Sequence, residues 1–330
     1  MIKPSVKPPT DPSDAMKYQS VQTIAYQPKD VNIIFCPLFV QMRERLVAVM
    51  QKKYIFYTGL SPDELEETVN RYYTAEYLAA FDSIENDISK YDKSMTAYCL
   101  LFECTLYLKL GLPMWLVHIW YISHVRSVYV DRTSGFSTKV DFQRRSGDPS
   151  TFFGNTLINL AVTVAIYPAD SIVLLLLAGD DHLIFGRGLN YTTSGLFADL
   201  FNFEAKTLPQ YKFPYFCGKF LIFVGNNIYF VPDPIRTITK IGRRDLRNED
   251  HIEQYRVSLK DVLAPLNNVL IFPDLSAAIT ERYKTERSDH LAVIHSILYL
   301  ISTSETFKEL YYTFPGQNIS FDPSLPSLEI

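Results

Sequence analysis

An α+β fold is what this sequence predicts, and three observations carry the prediction. Short apolar runs of strand length are interleaved with longer stretches of helical period in a β-α-β-β-α-β mixture, not a strict βαβ alternation. Three pairs of strand-like runs fold back on themselves, across Ser134-Gly135, Gly179-Asp180-Asp181 and Gly225-Asn226-Asn227. No internal repeat or low-complexity tract is present, so helical lobes inserted into and appended to one α+β core are expected.

Element by element, residues 1 to 30 are rich in Pro, Lys and Gln and read as an extended arm. Phe39 to Lys53 reads as a helix with Met42, Leu46 and Val49 on one stripe, and Pro62 opens a second, acidic helix through about Asn70. Tyr77 to Ser89 reads as strand. Ser94 caps an expected helix to about Leu110, with Tyr98, Leu101 and Leu108 inward, stopped by Gly111 and Pro113. Val125 to Val130 and Ser137 to Phe142 alternate as a hairpin around Ser134-Gly135. A helix is expected from Ser150 to Tyr167, then the acidic hairpin (Ile172 to Ala178, Leu183 to Phe185) and a short helix from Thr192 to Phe201. Tyr215 to Val224 and Ile228 to Val231 form the second hairpin, ended by Pro232 and Pro234, and the remainder from Arg236 reads as helical.

The chain has 330 residues, enough for a large core and more than one lobe. Its 22 Phe and 22 Tyr suit stacking surfaces and a packed core equally. Cys36, Cys99, Cys104 and Cys217 are scattered, without a C-x-x-C pair or a histidine at ligand spacing. That excludes a zinc site and a disulfide framework and points to a reducing compartment. Met1-Ile2-Lys3-Pro4 is polar and proline-broken, unlike a secretory signal, and the apolar run Ile172 to Ala178 is far too short to span a bilayer. The net charge is -4, but it is segregated: Ser61 to Cys104 is strongly acidic, whereas Lys206 to Lys260 is basic. An acidic centre between basic flanks suits a metal-dependent enzyme acting on a polyanion, and equally two solvated faces.

Three local patterns carry chemistry. Adjacent carboxylates at a hairpin tip, Asp180 and Asp181, repel one another unless a cation sits beside them, and hard divalent ions favour such oxygens. Asp87, at the end of a predicted strand, is a second carboxylate able to pair with Asp180 around two Mg²⁺ ions. Asp92, one turn further on, is placed to accept a hydrogen bond from a nucleotide sugar. Taken singly, these acids also fit a solvated turn and a helix N-terminal acid. In the third pattern, Arg144-Arg145-Ser146-Gly147-Asp148-Pro149-Ser150-Thr151 leads into a helix on which Thr151, Asn155 and Asn159 form a polar stripe. That stripe either faces a ligand or forms an internal network.

These elements, in this order, resemble the RNA-directed RNA polymerases of positive-strand RNA viruses, within the alphavirus-like supergroup of tobamo-like, bromo-like and negevirus-like replicases. Asp87 to Ser94 is similar to that family's motif A, Gln143 to Asn155 to motif B and Ala178 to Phe185 to motif C. Phe201 to Lys206 is similar to motif D, Phe216 to Phe220 to motif E, and Met1 to Lys7 to the end of motif F. The resemblance covers about residues 1 to 245.

It implies a right-hand polymerase core with an antiparallel-sheet palm, partial fingers and a helical thumb. The implied divisions are fingers 1–76, palm 77–112, a fingers insertion 113–140, palm 141–235 and thumb 236–330. The implied cofactor is Mg²⁺, with Mn²⁺ as a substitute, held chiefly by Asp87 and Asp180 with Asp181 nearby. Asp92 and Asn155 would read the ribose 2′-hydroxyl, while Ser146, Gly147 and Thr151 would shape the template loop. Lys206 would protonate pyrophosphate, against its reading as a plain surface lysine. Lys3 and Lys7 would meet the triphosphate, against solvated arm residues. Cys217, Gly218 and Lys219 would support the RNA 3′ end. Implied partners are template and nascent RNA, NTPs, and helicase and methyltransferase domains of a larger replicase in the host cytoplasm, at membrane-associated complexes reached through those other domains.

Two departures stand out. There is no G-x-x-x-x-G-K-[ST] and little of the fingers upstream of motif F, as in a core cut from a larger protein. His182 follows the acidic pair where the family often has a small polar residue. Two alternatives remain at this level: a reverse transcriptase sharing the palm, and a catalytically silent RNA-binding remnant.

Overall fold

The computed structural model describes residues 24–131, 135–189, 193–208, 212–241, 246, 248–284 and 290–311. In chain order these form helix α1 (Lys29–Val49), strand β1 (Tyr54–Phe56), helices α2 (Pro62–Tyr72) and α3 (Ala75–Ala79) and strand β2 (Asp82–Ile88). Helices α4 (Tyr91–Ser94), α5 (Ala97–Lys109) and α6 (Met114–Val125) follow, then strands β3 (Ser127–Val130) and β4 (Ser137–Val140) and helix α7 (Thr151–Ile166). Strands β5 (Ile172–Ala178) and β6 (Asp181–Gly186), helix α8 (Ser194–Phe201) and strand β7 (Ala205–Leu208) come next. The last part holds strands β8 (Tyr215–Phe216), β9 (Lys219–Val224) and β10 (Asn227–Pro232). Helices α9 (Pro234–Ile241), α10 (Glu249–Val262), α11 (Phe272–Tyr283), α12 (His290–Leu300) and α13 (Ser304–Glu309) close the described chain. The α+β expectation holds.

The described residues fall into two compact units, one formed by the chain up to 59 together with 80–208, the other by 60–79 and the chain from 212 onward. In the first, a five-stranded sheet runs in the order β1-β5-β6-β2-β7; β1 lies parallel to β5 and the other neighbours are antiparallel. β5 is apolar throughout, with Leu174 to Leu177 fully buried, because it is covered on both faces. Helices α1, α5, α6, α7 and α8 share one core with Ile84, Ile88, Leu175, Leu177 and Ile184 of the sheet.

In the second unit, β10-β9-β8 form an antiparallel sheet packed with α10 to α13. The outer edge of β10 is closed by side chains of α2. Asn70 exchanges two hydrogen bonds with the Ile228 backbone, both 2.8 Å, and Glu66 Oε2 accepts the Phe230 N–H at 2.9 Å. These contacts satisfy backbone groups that a bare edge strand would leave open.

Several expectations are corrected. α1 starts ten residues earlier than Phe39 and runs through Pro37, because Phe35 and Phe39 pack on Trp120, and Phe39 also on Tyr107. That aromatic cluster outweighs the roughly 3 kcal/mol a mid-helix proline costs. Val49 is exposed rather than on the buried stripe. The expected strand Tyr77 to Ser89 begins instead as α3, where the Thr74 hydroxyl accepts the Tyr77 N–H, and only Asp82–Ile88 is extended. On α5, Tyr98 and Leu101 face outward; Leu100, Glu103, Cys104 and Tyr107 face the core. The run Tyr215 to Val224 is two strands, since Cys217 (φ 50°) and Gly218 (φ 78°) turn the chain and pair Phe216 with Lys219. Positive φ at both turn residues is what a two-residue type I′ hairpin requires. Among the described residues no helix is long and apolar enough to cross a membrane.

Candidate active site

The acidic hairpin forms where the sequence placed it. Ala178 pairs with Asp181, leaving Gly179 and Asp180 as the two turn residues, and Gly179 takes φ 65°, a conformation that costs a residue without Cβ little. β2 lies antiparallel to β6, with Asn86 opposite His182 as the last bonded pair. Asp87 and Asp181 are the next residues of these two strands beyond that pair, and both lie close enough to act on Asp180. On the other side of β2, Asp87 is paired with Lys206 of β7. Directly opposed residues share a face of the sheet, so Asp181, Asp87 and Lys206 form an exposed row across three neighbouring strands.

Helix α7 packs against β5 and reaches the hairpin tip. Asn159 Nδ2 donates to the carbonyls of Gly179 (3.0 Å) and Asp180 (3.1 Å), and the Thr156 hydroxyl accepts the Gly179 N–H at 2.9 Å. The polar stripe therefore divides. Asn159 belongs to an internal network that fixes the turn, and Thr151 donates its hydroxyl to the Arg145 carbonyl at 2.6 Å. Asn155 donates from Nδ2 to Asp92 Oδ1 at 2.8 Å, although 63 residues separate them, while its own Oδ1 is buried with no hydrogen-bond partner among the described residues. Tyr91, buried at the start of α4, donates its hydroxyl to the Asn155 carbonyl at 3.2 Å.

The loop before α7 is anchored by two buried charge networks. Glu103 of α5 takes a two-pronged contact from the Arg144 guanidinium and a 2.9 Å hydrogen bond from the Tyr107 hydroxyl. Asp148 Oδ2 takes His124 Nε2 at 2.9 Å and Arg145 Nε at 3.0 Å. Between these anchors Ser146 is exposed, and Gly147 donates its N–H to the Ala25 carbonyl at 2.8 Å. A Cβ at Gly147 would lie 2.8 Å from Cβ of Tyr26. Sequence reasoning missed Thr156 and the Glu103–Arg144 pair. The available signal was one acid on the inward stripe of an otherwise apolar helix, which demands a buried cation.

Cys217, Gly218 and Lys219 form the β8–β9 turn of the second unit. Lys3 and Lys7 lie outside the described residues.

Electrostatically, Asp180 is the strained member of the set. Loss of hydration at the hairpin mouth raises its carboxyl above the ordinary 3.8, although much of its surface stays open, and the negative charges of Asp181, Asp92 and Asp87 add to the effect. Among the described residues no three His, Cys, Asp or Glu side chains close on a common point as a ready-made metal cage. The donor set nevertheless fits a hydrated Mg²⁺ ion, which takes one or two carboxylates and keeps waters or phosphate oxygens elsewhere. Mutually repelling, all-oxygen groups at one end of a sheet are relieved by such a cation.

The comparisons with known proteins match this architecture. The family model described as RNA dependent RNA polymerase matches residues 1–310. This chain belongs to that family. The chain is 36% identical over 315 residues to the replicase large subunit of Youcai mosaic virus and 35% identical over 315 residues to the RNA replication protein of Citrus leprosis virus C. It is 31% identical over 320 residues to the replicase large subunit of Tobacco rattle virus. These matches cover 94–96% of the chain but only 12–19% of the relatives' own length. Among solved structures, the RNA-dependent RNA polymerase of a human picorbirnavirus shares the polymerase fold with a TM-score of 0.58 at 12% identity, covering 87% of this chain and 56% of that one.

Proposed function

We propose that this chain is the catalytic core of template-directed RNA synthesis: in-line attack of an RNA 3′-hydroxyl on the α-phosphate of an NTP, with pyrophosphate leaving. The observation that carries the proposal is the register of β2 on β6, whose last bonded pair, Asn86 with His182, leaves Asp87 and Asp181 as the next residues of two neighbouring strands, at the tip where Asp180 turns. Asp87 and Asp180 would be the chief ligands of Mg²⁺, or of Mn²⁺ in its place, with Asp181 as a weaker neighbour. Bound ions there would supply positive charge to the attacking and leaving oxygens. Lys206, the cross-strand neighbour of Asp87, would donate a proton to departing pyrophosphate.

Asn155, with its unpaired Oδ1, and Asp92 would take the ribose 2′-hydroxyl, which both donates and accepts. Ser146, Gly147 and Thr151 would shape the loop that meets the template and nascent pair. The turn at Cys217-Gly218, with Lys219, would support the RNA 3′ end, and Lys3 and Lys7 would meet the triphosphate. The much greater length of the relatives supports further replicase domains as partners, and it is through such domains that the chain would reach membrane-associated replication complexes in the host cytoplasm.

The test is incorporation of labelled rNTP on an RNA template with Mg²⁺, compared between wild type and Asp180→Ala. A loss of roughly a thousandfold or more is expected, as when a charge-stabilising group is removed. Equal incorporation by the variant would sink the assignment. Parallel dNTP reactions distinguish reverse transcription, and no incorporation by wild-type protein would favour a silent RNA-binding core.

A further inference from the structure

The exposed row of Asp181, Asp87 and Lys206 has a counterpart one residue along, on the opposite face of the same three strands. There the register pairs His182 with Asn86, and Asn86 with Thr207. The Thr207 hydroxyl donates to Asn86 Oδ1 at 2.6 Å, and Asn86 Nδ2 donates to His182 Nε2 at 2.8 Å. His182 and Asn86 are 1% and 2% exposed, so this is a polar ladder inside the core, in line with the apolar pair Ile84 and Ile184. The His182 ring stacks on Phe197 of α8, with centroids 6.4 Å apart and planes 18° from parallel. In this arrangement the imidazole accepts at Nε2 and carries its proton on Nδ1, which has no partner among the described residues.

The proposed chemistry makes no use of this ladder, yet its members are chain neighbours of the row that does. Side chains alternate across a strand, and a slip of one residue exchanges the two faces. Apolar contacts such as Ile84 on Ile184 tolerate small lateral shifts. A chain of two hydrogen bonds through a buried amide does not, because any other register strands a polar group in the core.

We propose that Asn86, His182 and Thr207 are positioning residues that fix the register and lateral spacing of β6, β2 and β7. They would thereby set the spacing at which Asp181, Asp87 and Lys206 meet metal and nucleotide. The inference rests on the polymerase reading of that exposed row.

The test uses the full chain with His182→Leu, Asn86→Leu, the double variant, and His182→Gln, which keeps an acceptor. Five quantities are read: melting temperature, kcat and KM for NTP corrected by active-site titration, the Mg²⁺ concentration for half-maximal rate, and Mn²⁺ affinity without nucleotide. Each Leu variant is expected to lose roughly tenfold or more in kcat, as misplaced reacting groups do, with NTP KM little changed. Both metal measurements should move to higher concentration. The double variant, which no longer strands His182 or Asn86 against each other and leaves the half-buried Thr207 hydroxyl without its acceptor, should recover part of the melting temperature but neither kcat nor metal affinity, whereas His182→Gln should recover part of both. The positioning role is overturned if the single variants melt lower yet retain wild-type kcat per active site and wild-type Mn²⁺ affinity. It is also overturned if the double variant regains kcat along with stability. A wild-type chain that incorporates no nucleotide would count against the polymerase reading, and Mn²⁺ affinity across the four variants would still decide the role of the ladder.

Discussion

Asn155 is buried and keeps one polar end unpaired while the other holds Asp92. A buried acceptor without a donor is costly unless a ligand supplies one, and the ribose hydroxyl is the group the proposed reaction brings. Replacing Asn155 with Leu removes both that acceptor and the donor to Asp92. Discrimination between rNTP and dNTP is expected to fall by about tenfold or more, the worth of one good hydrogen bond, measured as the ratio of kcat/KM values. An unchanged ratio would remove Asn155 from sugar recognition. The two residues were individually legible in the sequence, Asp92 beside a strand end and Asn155 in an apolar helix. Their mutual contact was not, because 63 residues separate them and no local periodicity encodes it. Asn159 shows the converse: the same stripe contains it, and only the fold reveals that it serves the Gly179 and Asp180 carbonyls.

Elements set by local pattern were the readable ones. The acidic hairpin, α2 with its Ser61–Glu64 capping box and α7 all stand close to where periodicity and turn residues put them. The errors fall where tertiary packing overrides local preference, as in α1 passing through Pro37, or where a tight turn hides in an apolar run, as at Cys217-Gly218. The anchoring of α5 to the loop before α7 depends on one such tertiary contact. Glu103 and Arg144 are both almost wholly buried, so Glu103→Ala leaves an uncompensated cation and should destabilise by about 3–5 kcal/mol. Urea unfolding measures this, and a loss below ~1 kcal/mol would show that water already reaches the pair.

α2 offers a test of opposite sign. Burial raises the Glu66 carboxyl above 4.5, and Asp63 adds to it, outweighing the Phe230 N–H that favours the charged form. A group whose folded value is raised contributes its stability below 4.5 and loses it as pH climbs through the folded value. Glu66→Gln keeps an acceptor for Phe230 without the charge. It is expected to be more stable than wild type at pH 7, with the gap closing as pH falls to 4.5. Denaturation midpoints at the two pH values check both halves of the claim.

At the scale of the molecule, the two units each own a hydrophobic core. One gathers Phe35 through Phe203 around the five-stranded sheet, and the other gathers Phe213 through Tyr311 around β8, β9 and the C-terminal helices. Among the described residues the chain passes from one unit to the other at residues 59–60, again at 79–80, and a third time between 208 and 212. Stability built from two separate cores need not be lost in a single step. Leu175 of β5 and Leu275 of α11 are both fully buried, one in each core. Truncating either to Ala should cost about 2–5 kcal/mol through lost transfer energy and the cavity left behind. In calorimetry the wild-type chain is expected to give a measured enthalpy exceeding the van't Hoff value. Leu175→Ala should lower one component of the transition and Leu275→Ala the other. If both variants instead shift a single transition of unchanged sharpness, the cores unfold together, and β1 and β2, on either side of residues 60–79, would be the covalent route by which one core feels the loss of the other.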